Sequence, residues 1–138
     1  MSDRELVRAW RGLLERYHAT SSALERALND QHRLGVSEFE VLDWLVESPA
    51  GKTDCRVQDL AGSLHLSQSA LSRLIDRLVK HGLVERCSCG EDRRGIYVLL
   101  TPAGLRMHAE AASVHREVLA RILPPALVQC QCTDTVPA

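Results

Sequence analysis

The chain holds five cysteines, and four of them form two Cys-x-Cys pairs, Cys87/Cys89 and Cys130/Cys132. Thiolates so spaced can bind a soft ion such as Zn²⁺ or Cu(I), or oxidise to a disulfide. On a strand, Cys87 and Cys89 would share one face with Cα atoms roughly 6.5–7 Å apart, near the upper limit for a bridge. Either pair alone is half a tetrahedral site. Two copies of the tail brought together by symmetry would complete one, with four sulfurs from Cys130, Cys132 and their mates. A site joining both pairs within one chain is disfavoured. The helix expected between them spans roughly 33 Å, and the tail from Pro124 to Cys130 reaches only about 20 Å.

Other reactive groupings are sparse. His108 and His115 stand seven apart on one helix face, with His18 and His32 on the first helix. With neighbouring glutamates they could hold zinc at a helix junction, and the simpler reading is packed or surface histidine. There is no Cys-x-x-Cys on a thioredoxin-like pattern, no nucleophile–base pair at informative spacing and no phosphate-binding loop. The chain therefore does not read as an enzyme, and no cofactor is required. Cys55, alone in an expected loop, reads as inert.

Size and composition bound the rest. A chain of 138 residues fits one domain, and 45% hydrophobic with only 4% aromatic residues favours a mainly helical protein. The charged start, MSDRELVRAW, has no signal-peptide core, and no apolar run is long enough to span a membrane. A cytoplasmic protein with reduced thiols is the expectation. The net charge of −1 hides a split: residues 67–94 carry six basic side chains (Arg73, Arg77, Lys80, Arg86, Arg93, Arg94) against four acidic ones. A local basic footprint permits phosphate binding whatever the total.

The elements that must position these groups follow from periodicity. Leu6, Trp10, Leu13, Leu14, Tyr17, Leu24 and Leu28 recur at steps of three and four, predicting a long amphipathic helix from Arg4 to about Leu34, stopped by Gly35. Ser37 with Glu40 reads as a capping box opening Glu38–Glu47, with Phe39, Leu42, Leu45 and Val46 inward. SPAGKTDC reads as a loop. Val57–Leu64 is a short helix, broken at His65-Leu66-Ser67. Ser67 then caps Gln68–His81, whose Leu71, Leu74, Ile75 and Leu78 face inward. Leu83–Arg86 and Ile96–Leu100 read as two strands around a glycine-flanked turn, and Thr101-Pro102 caps a last helix. That helix presents Leu105, Ala109, Ala112, Val118, Leu119, Ile122 and Leu123, and Pro124-Pro125 halts it.

The fold class expected is thus mainly α with a small β-hairpin wing: a winged helix-turn-helix over 37–101, flanked by helices at 1–34 and 102–132. The second helix of such a pair can enter a DNA major groove. Ser67, Ser69 and Ser72 would allow close approach, while Gln68 and Arg73 reach bases and Arg77 and Lys80 add charge. Wing-tip Arg93 and Arg94 can reach a minor groove, with Asp92 bracing Arg77 or Arg93.

The run VQDLAGSLHLSQSALSRLIDRLVKHGLVER followed by EDRRGIYVLLTPAG closely resembles the MarR family of bacterial transcription regulators. The family pattern Asp-Arg-Arg-x-x-x-Val-x-Leu-Thr-x-x-Gly is met by Asp92, Arg93, Arg94, Val98, Leu100, Thr101 and Gly104. The resemblance implies a homodimer on pseudo-palindromic double-stranded DNA, usually a repressor released by a small ligand, an oxidant or a metal. It implies Ser69, Ser72 and Arg73 as recognition-helix positions and Arg94 as the wing tip. It also implies an organic-ligand cleft between the dimer helices and the DNA-binding unit, which Tyr17, His18 and Trp44 would line. Two departures stand out. Only a short tail with two prolines follows Leu123, where the family has a further helix, and no cysteine lies at the start of the first helix, where the family's peroxide sensors place one.

Two other readings compete with a DNA-binding regulator. One is a winged-helix module that binds protein, which the arginines of the wing disfavour. The other is a thiol or metal sensor in which the Cys-x-Cys pairs dominate.

Overall fold

Among the described residues the chain forms six helices and three strands, in the order α1 (Asp3–His32), α2 (Val36–Glu47), β1 (Asp54–Arg56), α3 (Val57–Leu64), α4 (Gln68–Lys80), β2 (Val84–Cys87), β3 (Tyr97–Leu100), α5 (Pro102–Ile122) and α6 (Pro125–Gln131). The computed structural model describes residues 1–47, 54–87 and 97–131. The fold class is the expected one. No helix among the described residues is long and apolar enough to cross a membrane.

Side-chain caps set several boundaries. Ser2 and Glu5 form a reciprocal capping box on α1. Ser67 Oγ accepts the Ala70 N–H at 3.1 Å and opens α4, while Thr101 Oγ1 accepts the Gly104 N–H at 3.0 Å and opens α5 with Pro102 in its first turn. Between α3 and α4 the chain turns through His65, whose φ of 55° is left-handed, and Leu66 N donates back to Ala61 O at 3.1 Å.

One core joins these elements. Phe39, Leu42 and Leu45 of α2 are fully buried with Leu60 of α3, Leu71, Ile75 and Leu78 of α4, and Val98 of β3. Leu28 of α1 and Ala111 and Val114 of α5 belong to the same cluster. The sheet order is β1-β3-β2, antiparallel throughout, with Cys87 opposite Tyr97 and Val84 opposite Leu100.

Several sequence expectations are corrected. Gly35 does not stop α1; Arg33 takes the left-handed position, with φ of 52°. Ser37 does not cap α2, which starts two residues earlier than expected, at Val36: the Val36 N–H is satisfied by Glu25 Oε2 at 3.1 Å, and Phe39 N bonds Gly35 O at 2.9 Å. Asp54 and Cys55 belong to a strand, because β3 offers its free edge to them. The chain past Pro124 is helical again over α6, since Pro125 fits a helix's first position.

The inward face of α5 is also rotated from the one expected. Gly104, Ala111, Val114, His115 and Val118 are buried, whereas Leu105 is 50% exposed. Gly104 sets that phase, because it is the point where the helix meets backbone: a Cβ there would lie 2.0 Å from Leu83 O.

Candidate nucleic-acid interface

The helix-turn-helix is made by α3, the His65–Ser67 turn and α4. Leu71, Leu74, Ile75 and Leu78 anchor α4 in the core, so the opposite face must point outward. Ser67, Gln68, Ser69, Ser72, Arg73, Asp76, Arg77 and Lys80 are all exposed there. Every DNA-contact candidate proposed on this helix is therefore available at the surface. Ser67 and Ser69 are already linked, their hydroxyls 3.2 Å apart.

Two of the basic groups on this face have partners. Arg77 Nη1 lies 3.8 Å from Glu38 Oε1 on α2, a long pair that leaves the Arg77 side chain 58% exposed. Arg86 is held more firmly: Nη1 pairs with Asp76 Oδ1 at 2.5 Å, and Nη2 donates to Ser72 O at 3.3 Å. A strand residue thus grips the recognition helix at two points. Asp92, Arg93, Arg94, Cys89 and Cys132 lie outside the described residues, as does the Cys130 side chain. Cys87 is half-buried in β2.

The end of α4 is welded to the start of α5. Leu83 N donates to Leu78 O at 2.9 Å, and Leu83 O accepts Thr101 N at 3.1 Å. Thr101 Oγ1 donates to Gly82 O at 2.6 Å, and Gly82 itself has φ of 73°. These bonds tie the recognition helix to α5 at the backbone of Gly82 and Leu83.

A second tie runs from α2 to α5. Asp43 Oδ1 accepts from both His108 Nε2 and Arg116 Nη2, each at 2.7 Å. Burial pushes the Asp43 carboxyl up, but the Arg116 and His108 hydrogen bonds and charges outweigh it and hold the group below the ordinary carboxylate range. Arg116 Nη1 also lies 2.7 Å from His115 Nδ1. Arginine can only donate, so Nδ1 is the acceptor and the His115 proton sits on Nε2, 3.5 Å from Glu40 Oε1. His108 stacks on Phe39 with ring centroids 5.5 Å apart, and His115 lies against the same ring, tilted by 31°, at 4.4 Å. His108 and His115 are therefore packing groups here, and His18 instead meets the Tyr17 ring edge-on at 5.5 Å. Among the described residues no three His, Cys, Asp or Glu side chains converge on a point where a metal ion could sit.

Of the proposed cleft residues, Tyr17 lines a cavity of about 450 Å³ between α1, the first turn of α2 and the α3–α4 turn. Trp44 does not, because it sits one helical turn beyond Glu40, the last α2 residue in the lining. A second cavity, of about 340 Å³, is lined by Glu25 and Glu38 together with Arg73 and Arg77. Only the exposed α4 face carried a sequence signal. Arg86, Asp43 and Glu25 act across elements distant in sequence, and Gly104 alone could have been flagged, as a glycine early in a helix.

Comparison with known proteins agrees with this geometry. A family model described as the MarR family matches residues 34–95. The HTH-type transcriptional regulator YsmB of Bacillus subtilis is 33% identical over 94 residues, 68% of this chain, and the chain spans 62% of that relative's length. AbsC, a MarR family transcriptional regulator from Streptomyces coelicolor, superimposes with a TM-score of 0.81 at 32% identity, over 95% of this chain and 88% of its own. Sco3205 from the same organism, solved in complex with DNA, gives 0.83 at 25% identity, over 95% and 83%. The chain belongs to the MarR family.

Proposed function

We propose that this chain is a sequence-specific double-stranded-DNA-binding transcription regulator, acting as a homodimer on pseudo-palindromic operators. The observation that carries the reading is the exposed face of α4, where Ser69, Ser72, Arg73, Arg77 and Lys80 stand on a helix anchored from behind by four buried aliphatic side chains. That is a surface suited to a major groove. Gln68, Ser69, Ser72 and Arg73 face base edges, Arg77 and Lys80 the flanking backbone, and Arg94 on the wing reaches the minor groove. The relative Sco3205, solved in complex with DNA, supports the DNA-binding reading.

A homodimer accounts for a surface that one protomer leaves uncovered. Leu6, Trp10, Leu13 and Tyr17 on α1 are 51–67% exposed, and Leu127 and Val128 of α6 are exposed as well. A stripe of that size on a soluble protein is an interaction face, and residues 1–34 and 102–132 form the dimer layer. Repression relieved by a small ligand, an oxidant or a metal is the regulatory mode, with the Cys87/Cys89 and Cys130/Cys132 pairs as candidate thiol or Zn²⁺/Cu(I) sites.

The test is fluorescence-anisotropy titration of selected operator DNA against scrambled DNA over a range of salt. Affinity should fall steeply with salt, and Arg94→Ala should weaken binding to every sequence. Arg73→Ala should relax the preference at one position of each half-site. Binding without operator preference, or independent of salt, would overturn the proposal.

A further inference from the structure

The exposed face of α4 carries Arg73, Arg77 and Lys80, and Arg86 reaches over it from β2. Two carboxylates stand among these cations. Glu38 of α2 faces Arg77 at 3.8 Å, and Asp76, on α4 itself, faces Arg86 at 2.5 Å. Arg73 and Lys80 have no carboxylate at ion-pair distance among the described residues. A carboxylate on a surface suited to phosphate opposes the ligand, so each of the two needs a physical reason.

Stability does not supply one. Asp76 is 61% exposed and Arg77 58%, and pairs so open to water hold a fold together weakly. Glu38 could serve as a first-turn carboxylate on α2, a role that a solvent-facing rotamer fills equally well. Its side chain is instead only 12% exposed, in the cavity it shares with Arg73 and Arg77. Glu25, the other carboxylate lining that cavity, already accepts the Val36 N–H. Asp76 is also poorly placed to read a base. Base contacts come from the N-terminal residues of a recognition helix, whereas Asp76 lies in the third turn of α4 and has one oxygen committed to Arg86.

We infer that Glu38 and Asp76 are internal stand-ins for phosphate, which occupy Arg77 and Arg86 in the free protein and set its affinity for every DNA sequence below what its cations could reach. A duplex phosphate must displace a carboxylate to gain either arginine, and counter-ion release from that contact is offset by the exchange. The Arg77–Glu38 pair exchanges easily, because at 3.8 Å there is no direct hydrogen bond to break. Arg86 is held harder, since it also donates to Ser72 O, so Asp76 acts mainly by cancelling its charge. No base edge takes part, and the preference among sequences is therefore untouched. The inference rests on the DNA-binding reading for the identity of the polyanion; the exchange itself requires only an anion that competes with the two carboxylates.

The experiment compares the full chain with Glu38→Gln and Asp76→Asn, both isosteric exchanges, with thermal melts to check folding. Anisotropy titrations on selected operator and scrambled DNA are run over a range of salt, beside retention on heparin, a polyanion without bases. Each substitution should tighten binding to both DNAs about fivefold at about 0.15 M salt and steepen the salt slope by about one. Both variants should leave heparin at higher salt, and the operator-to-scrambled ratio should stay at the wild-type value. Glu117→Gln, which removes an equal charge from the exposed surface of α5, should change neither readout. Glu38→Gln added to Arg77→Ala should give no gain, because the arginine it releases is gone. Unchanged or weaker binding to DNA and heparin in the two variants, an equal gain in Glu117→Gln, or a gain that survives Arg77→Ala overturns the inference. Loss of operator affinity alone in Asp76→Asn makes that carboxylate a base reader and overturns its half. A wild type retained by heparin but indifferent to operator overturns the DNA-binding reading, while stronger heparin retention of both variants still upholds the exchange.

Discussion

Gly104 packs its Cα directly against the carbonyl oxygen of Leu83, so closely that a Cβ on residue 104 would lie 2.0 Å from that oxygen. The carbonyl cannot retreat cheaply, because it already accepts the Thr101 N–H at 3.1 Å. Gly104→Ala should therefore destabilise the fold by about 1–3 kcal/mol or more, despite the gain of about 1 kcal/mol in helix propensity. Urea denaturation measures it. Adding Leu100→Ala should not rescue the variant, because the nearest obstacle is backbone and the Leu100 methyl is the more distant contact at 2.9 Å.

The brace from Arg86 makes a different prediction. Its ion pair with Asp76 joins side chains 37% and 61% exposed, so removing it should cost less than about 1 kcal/mol of stability. Arg86→Lys keeps the charge and loses the second donor to Ser72 O. We expect Arg86→Lys to melt close to wild type yet bind operator DNA more weakly. Wild-type affinity in that variant would show that Arg86 acts through charge alone.

Acid should act through Asp43. Its folded pKa lies below the ordinary value, so its contribution to stability is complete above the unfolded carboxyl's pKa of about 4 and is lost as pH falls through the lower folded value. Asp43→Asn should be less stable than wild type at neutral pH. The gap should close in strongly acidic solution, which denaturant titrations at a series of pH values will resolve.

Two candidate caps for α2 are separable by mutation. Glu25→Ala should cost about 1 kcal/mol, because it strips the acceptor from the Val36 N–H. Ser37→Ala should cost far less, as Ser37 is exposed and makes no capping bond among those observed. A larger loss at Ser37 in thermal melts would reinstate the capping box.

The parts of the molecule that could be read from sequence are those set by local pattern. The α4 face was legible because four aliphatic residues at steps of three and four leave only one outward side, and Ser67 and Thr101 announce their helices by residue type. What stayed hidden depends on distant partners. β1 is three residues long and exists only by pairing with β3, more than forty residues later. Glu25 caps a helix eleven positions away, and Leu105 looked like core until Gly104 fixed the rotation of α5. The α1 stripe was readable as a helix, but its first half buries nothing within a protomer, while Leu24 and Leu28 do.

That uncovered half of α1 makes the helix a gauge of association. A helical stretch of this length without burial is marginal in water, so its order is lent by whatever covers it. Amide-exchange protection from Leu6 to Tyr17 should rise with protein concentration, whereas protection near Leu24 and Leu28 should follow the fold of the single chain. One continuous helix would then report two equilibria, one at each end.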